Sequence, residues 1–129
     1  MINSIDHLII VVKDLNTAAK NYQKVLGIDP VWKGEHKELG TANVIFNFKN
    51  TYFELLSSKG NGLGAELVNN SISENGEGLI GQALGTQDIK ETRKLLAEKG
   101  FSISEGTTSF VLLFIPEGGA APPKPNVST

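Results

Sequence analysis

Two helix-like runs with the same punctuation constrain this 129-residue chain more than any other feature. Asp14-Leu15 opens the first run, Ala18, Ala19, Tyr22, Val25 and Leu26 recur at helical spacing, and Gly27 closes it. An Asp at that place caps the free N–H groups of a helix start, and Gly takes the left-handed conformation that stops one. The pattern returns as Asp88-Ile89, with Ile89, Thr92, Leu95 and Leu96 on one face, and ends at Gly100. Asp88 and Glu91 have capping-box spacing. Asp14 to Asp88 is an offset of 74. A repeat of this kind points to two copies of one supersecondary unit.

The flanking segments read as strands. Residues 5–12 ("IDHLIIVV") form an apolar, β-branched run, followed after the first helix by a weaker strand over 31–35. Over 42–48, Val44, Phe46 and Phe48 alternate with Asn43, Ile45 and Asn47. Lys49-Asn50 is a tight turn and 51–57 the returning strand. Module one is therefore β-α-β-β-β over 1–58. Residues 59–76, rich in Gly, Asn and Ser, read as a linker with one helical turn near Ala65 to Val68. Module two, 77–116, has strand signals at 79–86, 101–104 and 110–115 around its helix. Residues 117–129 carry a proline-rich run without strand pattern and read as a loose tail. The fold class is α+β. Paired βαβββ modules are the first choice and a ferredoxin-like sandwich is the alternative. Hairpins are too many for a doubly wound parallel sheet.

Composition narrows the function. Twelve basic and 14 acidic residues leave a net charge of −2, and no basic stripe supports nucleic-acid binding. No apolar run approaches the roughly 20 residues of a membrane span, and the N-terminus lacks a signal-peptide pattern, so a cytoplasmic location is expected. Cysteine is absent, which removes disulfides, thiolate nucleophiles and cysteine-based zinc sites.

"IDHLIIVVKDLNTAAKNYQKVLGI" resembles the opening of the vicinal oxygen chelate superfamily, which includes glyoxalase I, bleomycin-resistance proteins and extradiol dioxygenases. "HKELGTANVIFNF" with "TYFELLS" is similar to a glyoxalase-like group with a His-x-x-x-Gly-Thr-x-Asn stretch before a Tyr-x-Glu-Leu strand. "GEGLIGQALGTQDIKETRKLLAEKGF" suits that group's second module. The resemblance implies curved sheets forming a cup, with helices on the outside and ligand within. In metal-dependent members each module offers one ligand from its first strand and one from its fourth. Those positions in module one are His7 and Glu54.

Imidazole and carboxylate together suit one divalent cation such as Zn, Mn, Ni or Fe, which could polarise a carbonyl or activate oxygen or water. On strand alternation His7 shares a face with Ile5, Ile9 and Val11, and Glu54 with Tyr52 and Leu56. Module two does not supply obvious partners. The offset carries His7 to Gly81, with Gln82 beside it on the opposite face, and the fourth-strand position falls at Val127 in the tail. Glu117 is the nearest substitute. His36 is either a solvated loop histidine or, by the resemblance, a catalytic or ligating group beside Glu54. Asn43 and Asn47 either face solvent or orient a ligand inside the cup. Thr41 and Asn43 could instead fix a turn. Trp32 is either core or interface, or a platform for a planar ligand. Tyr52, on the Glu54 face, joins the substrate-binding set of Trp32, Thr41, Asn43 and Asn47. Gly81 and Gly85 either leave room for a ligand or allow close sheet packing.

Three functions compete on these residues: a glyoxalase-like lyase, isomerase or dioxygenase acting on a small oxygenated substrate; a metal-free binding protein of the bleomycin-resistance type; and an interaction module. A small-molecule ligand and a homodimer are the expected partners, with no nucleic acid and no membrane.

Overall fold

A computed structural model of the chain describes residues 2–101 and 110–114. The elements run β1 (Ile2–Val11), α1 (Leu15–Leu26), β2 (Trp32–His36), β3 (Thr41–Asn47), β4 (Tyr52–Ser58), α2 (Leu63–Asn75), β5 (Gly78–Thr86), α3 (Ile89–Glu98) and β6 (Phe110–Phe114). The strands make one mixed sheet of order β2-β3-β4-β1-β5-β6. The strand expected over 101–104 lies outside the described residues beyond Phe101, as do Ile115, Glu117 and the tail.

The caps behave as their residue types require. Asp14 accepts from the Thr17 N–H at 3.0 Å, Asp88 from the Glu91 N–H at 3.0 Å, and Gly27 ends α1 at φ 69°. Helix α3 closes at Lys99, one residue before Gly100, and the Phe101 N–H folds back onto the Leu96 carbonyl at 2.9 Å.

Alternation along β3 and β4 sorts two apolar layers. Val44, Phe46 and Leu55 turn to one face with Ile10 and Val12, where Ala18, Ala19, Tyr22 and Leu26 of α1 cover them. On the other face Ile9, Val11 and Leu56 meet Val68 and Ile72 of α2. Complete burial of Phe46, Leu55, Val11 and Val68 makes both layers true core.

Helix α2 corrects one expectation. The segment read as a linker with one helical turn is a 13-residue helix, and it packs against Ile9, Val11 and Leu56 on the sheet face opposite α1. Its Gly, Asn and Ser content gives little intrinsic helix preference. Burial of Ala65 and Val68 against the sheet overrides that preference. Gly62 and Gly64 allow the helix to start hard against Leu39: a Cβ on Gly62 would lie 2.6 Å from the Leu39 carbonyl carbon. The Ala65 N–H then donates to the Leu39 carbonyl at 2.9 Å.

The repeat has a direct counterpart in the sheet. Strands β1 and β5 run antiparallel with Leu8 opposite Gln82, and the 74-residue offset makes those two residues equivalent. A local two-fold relating the modules therefore passes through this pair. The symmetry stops at the next strand. In module one β1 pairs with β4 in parallel, whereas β5 pairs with β6 antiparallel. The slot that module one gives to its fourth strand is filled in module two by a strand of opposite direction.

Candidate functional site

The site grows from an irregularity in β1. Ile5 pairs with Leu84 and His7 with Ala83, so two steps on β1 match one on β5 and Asp6 is the extra residue of a β-bulge. A regular strand sends neighbouring side chains to opposite faces. The bulge lets Asp6 turn to its neighbour, and its Oδ2 lies 2.8 Å from His7 Nδ1. Thr51 holds the bulge by donating its hydroxyl to the Asp6 carbonyl at 3.0 Å. The same bulge corrects a reading of the sequence. Ile5 shares its face with Leu84 and is 49% exposed, while His7 is 4% exposed on the other face with Ile9 and Val11.

An ionised carboxylate only accepts hydrogen bonds, so beside Asp6 the His7 Nδ1 carries a proton. Nε2, the other ring nitrogen, faces Glu54 Oε1 at 3.6 Å. Register explains the meeting: Ile9 is opposite Glu54, and His7 is opposite Tyr52, on parallel strands. Tyr52 stacks on the imidazole with ring centroids 4.4 Å apart and planes inclined by 10°. Burial, then the negative charges of Asp6 and Glu54 and a hydrogen bond to Asp6, push the Tyr52 phenol up to about 12. Tyr52 therefore stays protonated through the physiological range.

Glu54 is fixed from its far side. Asn43 donates its amide Nδ2 to Glu54 Oε2 at 2.9 Å, and the Trp32 indole N–H donates to Asn43 Oδ1 at 3.2 Å. A chain of polar groups thus runs from Trp32 through Asn43 and Glu54 to His7 and Asp6. Glu54 keeps 20% of its side-chain surface and Trp32 is 56% exposed, so this end of the face is open to a ligand. The other end, around Val11 and Leu56, lies under α2.

The remaining candidates fall elsewhere. Asn47 is opposite Tyr52 but exposed. Thr41 is buried, and a Cβ on Gly64 of α2 would lie 2.8 Å from its methyl, so it packs under the start of that helix. His36 is exposed at the end of β2, opposite Thr41, two residues beyond Gly34. It shares the sheet face but not the hydrogen-bonded chain. At Gly85 a Cβ would strike Ser4 Oγ, which assigns that glycine to close strand packing. Asp6 is the group that reading the sequence missed. The only signal was an Asp directly before a His, and regular alternation separates such a pair.

The donors fit two positions of a divalent cation. Ligands about 2.1 Å from zinc subtend about 3.4 Å at a tetrahedral angle, close to the 3.6 Å between His7 Nε2 and Glu54 Oε1. Each donor also has the outer hydrogen bond that orients metal ligands: Asp6 on His7, and Asn43 on Glu54. The symmetry-related half is different. Gly81 is the equivalent of His7. Ala83 is the equivalent of Ile9, and its neighbour on β6 is Leu112, in the place Glu54 holds beside Ile9. Among the described residues no three His, Cys, Asp or Glu side chains group together as a metal cluster.

A family model described as glyoxalase-like domain matches residues 5–127. The chain belongs to that family. The glyoxalase-like fold places it in the vicinal oxygen chelate superfamily. No curated protein matches it significantly in sequence. Among solved structures it is similar to Streptomyces coelicolor methylmalonyl-CoA epimerase in complex with 2-nitronate-propionyl-CoA, at 21% identity and TM-score 0.67, covering 88% of this chain and 85% of that one. The Mycobacterium tuberculosis methylmalonyl-CoA epimerase gives 19% identity and TM-score 0.70 over 92% and 83%. A hypothetical protein from Bacillus halodurans gives 19% and 0.70 over 86% and 83%. At these identities the likeness is one of fold. Within the described residues, no helix is long and apolar enough to cross a membrane.

Proposed function

We propose that this glyoxalase-like protein is a small-molecule enzyme of the isomerase type, moving a proton on a carbon next to a carbonyl group. The observation that carries the proposal is the pairing of His7 Nε2 with Glu54 Oε1, each held by an outer hydrogen bond, at the open end of the sheet face. Structural likeness to epimerases supports the reaction class without identifying the substrate.

The chain's own groups divide the task. Asn43 occupies Glu54 Oε2, which leaves Oε1 to take the proton from the substrate carbon and return it. Asp6 keeps the Nδ1 proton of His7 in place, so Nε2 faces the reacting region. Tyr52 covers one face of the imidazole and shields it from water. His7 Nε2 and Glu54 Oε1 would hold a divalent cation of the Zn, Mn, Ni or Fe type, which would polarise the substrate carbonyl; Oε1 serves as ligand or as base and not both at once, so proton transfer needs Oε1 released from the cation. The exposed Trp32 face and Asn47 line the approach. His36, further along the face, is kept for contact with the distal part of a substrate. A homodimer is part of the proposal.

Deuterium incorporation tests it. Wild-type protein in heavy water, with each of the four cations added in turn, is given a panel of small 2-hydroxy carbonyl compounds and acyl thioesters. Mass spectrometry should show incorporation into at least one compound, lowered about 100-fold or more by Glu54→Gln. Incorporation equal in wild type and Glu54→Gln would overturn the role of Glu54. Tight ligand binding without exchange would favour the second reading, a binding protein of the bleomycin-resistance type. That reading draws support from Gly81 and Leu112 standing where the second pair of polar groups would be.

A further inference from the structure

We infer that Trp32 is a positioning residue for Glu54, acting through Asn43, and that Gly34 exists to let the indole reach that position. The inference rests on the reading of Glu54 as the reacting carboxylate and adds to it the residues that aim it.

Three observations converge. First, the indole N–H is a donor only, and it meets Asn43 Oδ1 at 3.2 Å. An amide side chain presents a donor at one corner and an acceptor at the other, and a half-turn exchanges them. With Oδ1 engaged by Trp32, Nδ2 must point at Glu54, where it donates to Oε2 at 2.9 Å. Reversal would set two N–H-bearing groups against each other at one end and two acceptors at the other. Trp32 therefore locks the amide in the orientation that holds Oε2 and leaves Oε1 facing His7.

Second, Trp32 is held across its own strand rather than in the core. It is 56% exposed, and apolar burial gives its ring little reason to stay. The ring nonetheless lies over Gly34, its neighbour two residues on and on the same face. A Cβ at Gly34 would sit 2.6 Å from the indole nitrogen and 2.7 and 2.8 Å from two ring carbons. Any side chain there would lift the ring away from Asn43.

Third, the backbone does not demand a glycine. Gly34 is not among the glycines of positive φ, and it lies inside β2 paired with Asn43. Glycine weakens a strand interior, so its presence here is explained by space for the indole. The same lateral pairing puts Gly34 directly beside Asn43.

The sequence holds a single tryptophan, so one indole signal reports the whole chain of contacts. In the ligand-free protein, the indole N–H resonance should move when Glu54 is replaced by Ala and when Asn43 is replaced by Ala. Gly34→Ala should shift it further, toward the position of a solvated indole. An indole signal unchanged in all three folded variants would overturn the inference, whatever the protein does. This arm needs neither metal nor substrate.

A second arm measures the consequence. Calorimetric titration with Zn or Mn should give an affinity weakened about 10-fold or more by Asn43→Ala and about 3-fold by Trp32→Phe, which keeps an aromatic side chain and loses the indole N–H donor. Gly34→Ala should match Trp32→Phe. Val31→Ala, an exposed neighbour outside the contact chain, should leave affinity unchanged. Thermal unfolding should move by similar small amounts in Trp32→Phe and Val31→Ala. A loss of stability in Trp32→Phe with affinity unchanged would mark Trp32 as structural and sink the positioning role. If wild-type protein binds no cation and exchanges no proton while the indole couplings hold, the proposed enzyme reading fails and the Trp32–Asn43–Glu54 link stands.

Discussion

The two modules of this sheet meet at the Leu8–Gln82 pair and treat equivalent positions in opposite ways. Module one presents His7 and Glu54 at the open end of the face, both hydrogen-bonded to outer groups. Module two presents Gly81 and Leu112, and Leu112 packs into the apolar layer formed by Ile9, Val11, Val68 and Ile80. One half of the symmetric frame has become a chemical site and the other a floor. The physical lesson is that a repeat conserves the backbone frame more readily than its side-chain chemistry. The β5–β6 pairing shows why: an antiparallel strand in the fourth-strand slot satisfies the ladder of β5 as well as a parallel one would.

Exchanging side-chain character across the two-fold should break the comparison unevenly. The largest effect belongs to activity, through the loss expected for Glu54→Gln, with stability changed by less than about 1 kcal/mol because the amide keeps an acceptor for Asn43. Leu112→Glu should do the reverse. It puts a carboxylate into the apolar layer of Ile9, Val11, Val68 and Ile80, and urea unfolding should record a loss of about 3 kcal/mol. Equal losses of stability from these two substitutions would show that the halves are not differentiated as described.

Helix α2 divides the same face lengthwise, and Val68 is its buried anchor. Val68→Ala removes two methyl groups from a completely buried site and should cost about 2 kcal/mol by urea unfolding. The indole signal of Trp32 should stay in place, since the open end does not depend on this contact. The smallest effect is at high pH. Tyr52 has its phenol raised to about 12 in the folded protein, against 10 when unfolded. Between those values the unfolded chain releases the proton and the folded chain keeps it, so this group's contribution to stability is complete below pH 10 and lost as pH rises toward 12. Tyr52→Phe should therefore show a shallower fall in melting temperature over that window than wild type. Parallel curves would place the phenol in an ordinary environment.

Much of the frame was legible in the residues themselves. Asp14, Gly27 and Asp88 marked helix ends by local chemistry, which needs no distant partner. The alternation of Val44 and Phe46 with Asn43 and Asn47 gave the two faces of β3, because a strand's side-chain period is fixed by its backbone. Helix α2 was hidden for the converse reason: Gly, Asn and Ser favour loops locally, and only contact with Ile9, Val11 and Leu56 makes that segment helical.

His7, Glu54, Asn43 and Trp32 could all be named from sequence, the first two through the family resemblance. Their linkage could not. Asp6 reaches His7 because of a bulge that one extra residue introduces against β5, and such a slip depends on pairing with a strand some 75 residues away. Trp32 reaches Asn43 because Gly34 leaves its Cβ space empty, a condition defined by β2 lying beside β3. The sequence by itself determined the helix caps, the strand faces and the repeat offset, since these follow from local backbone preference and periodicity. Tertiary structure alone decided which helix covers the face and how Glu54 is aimed, because hydrogen bonds between strands depend on register and register is set by the whole sheet.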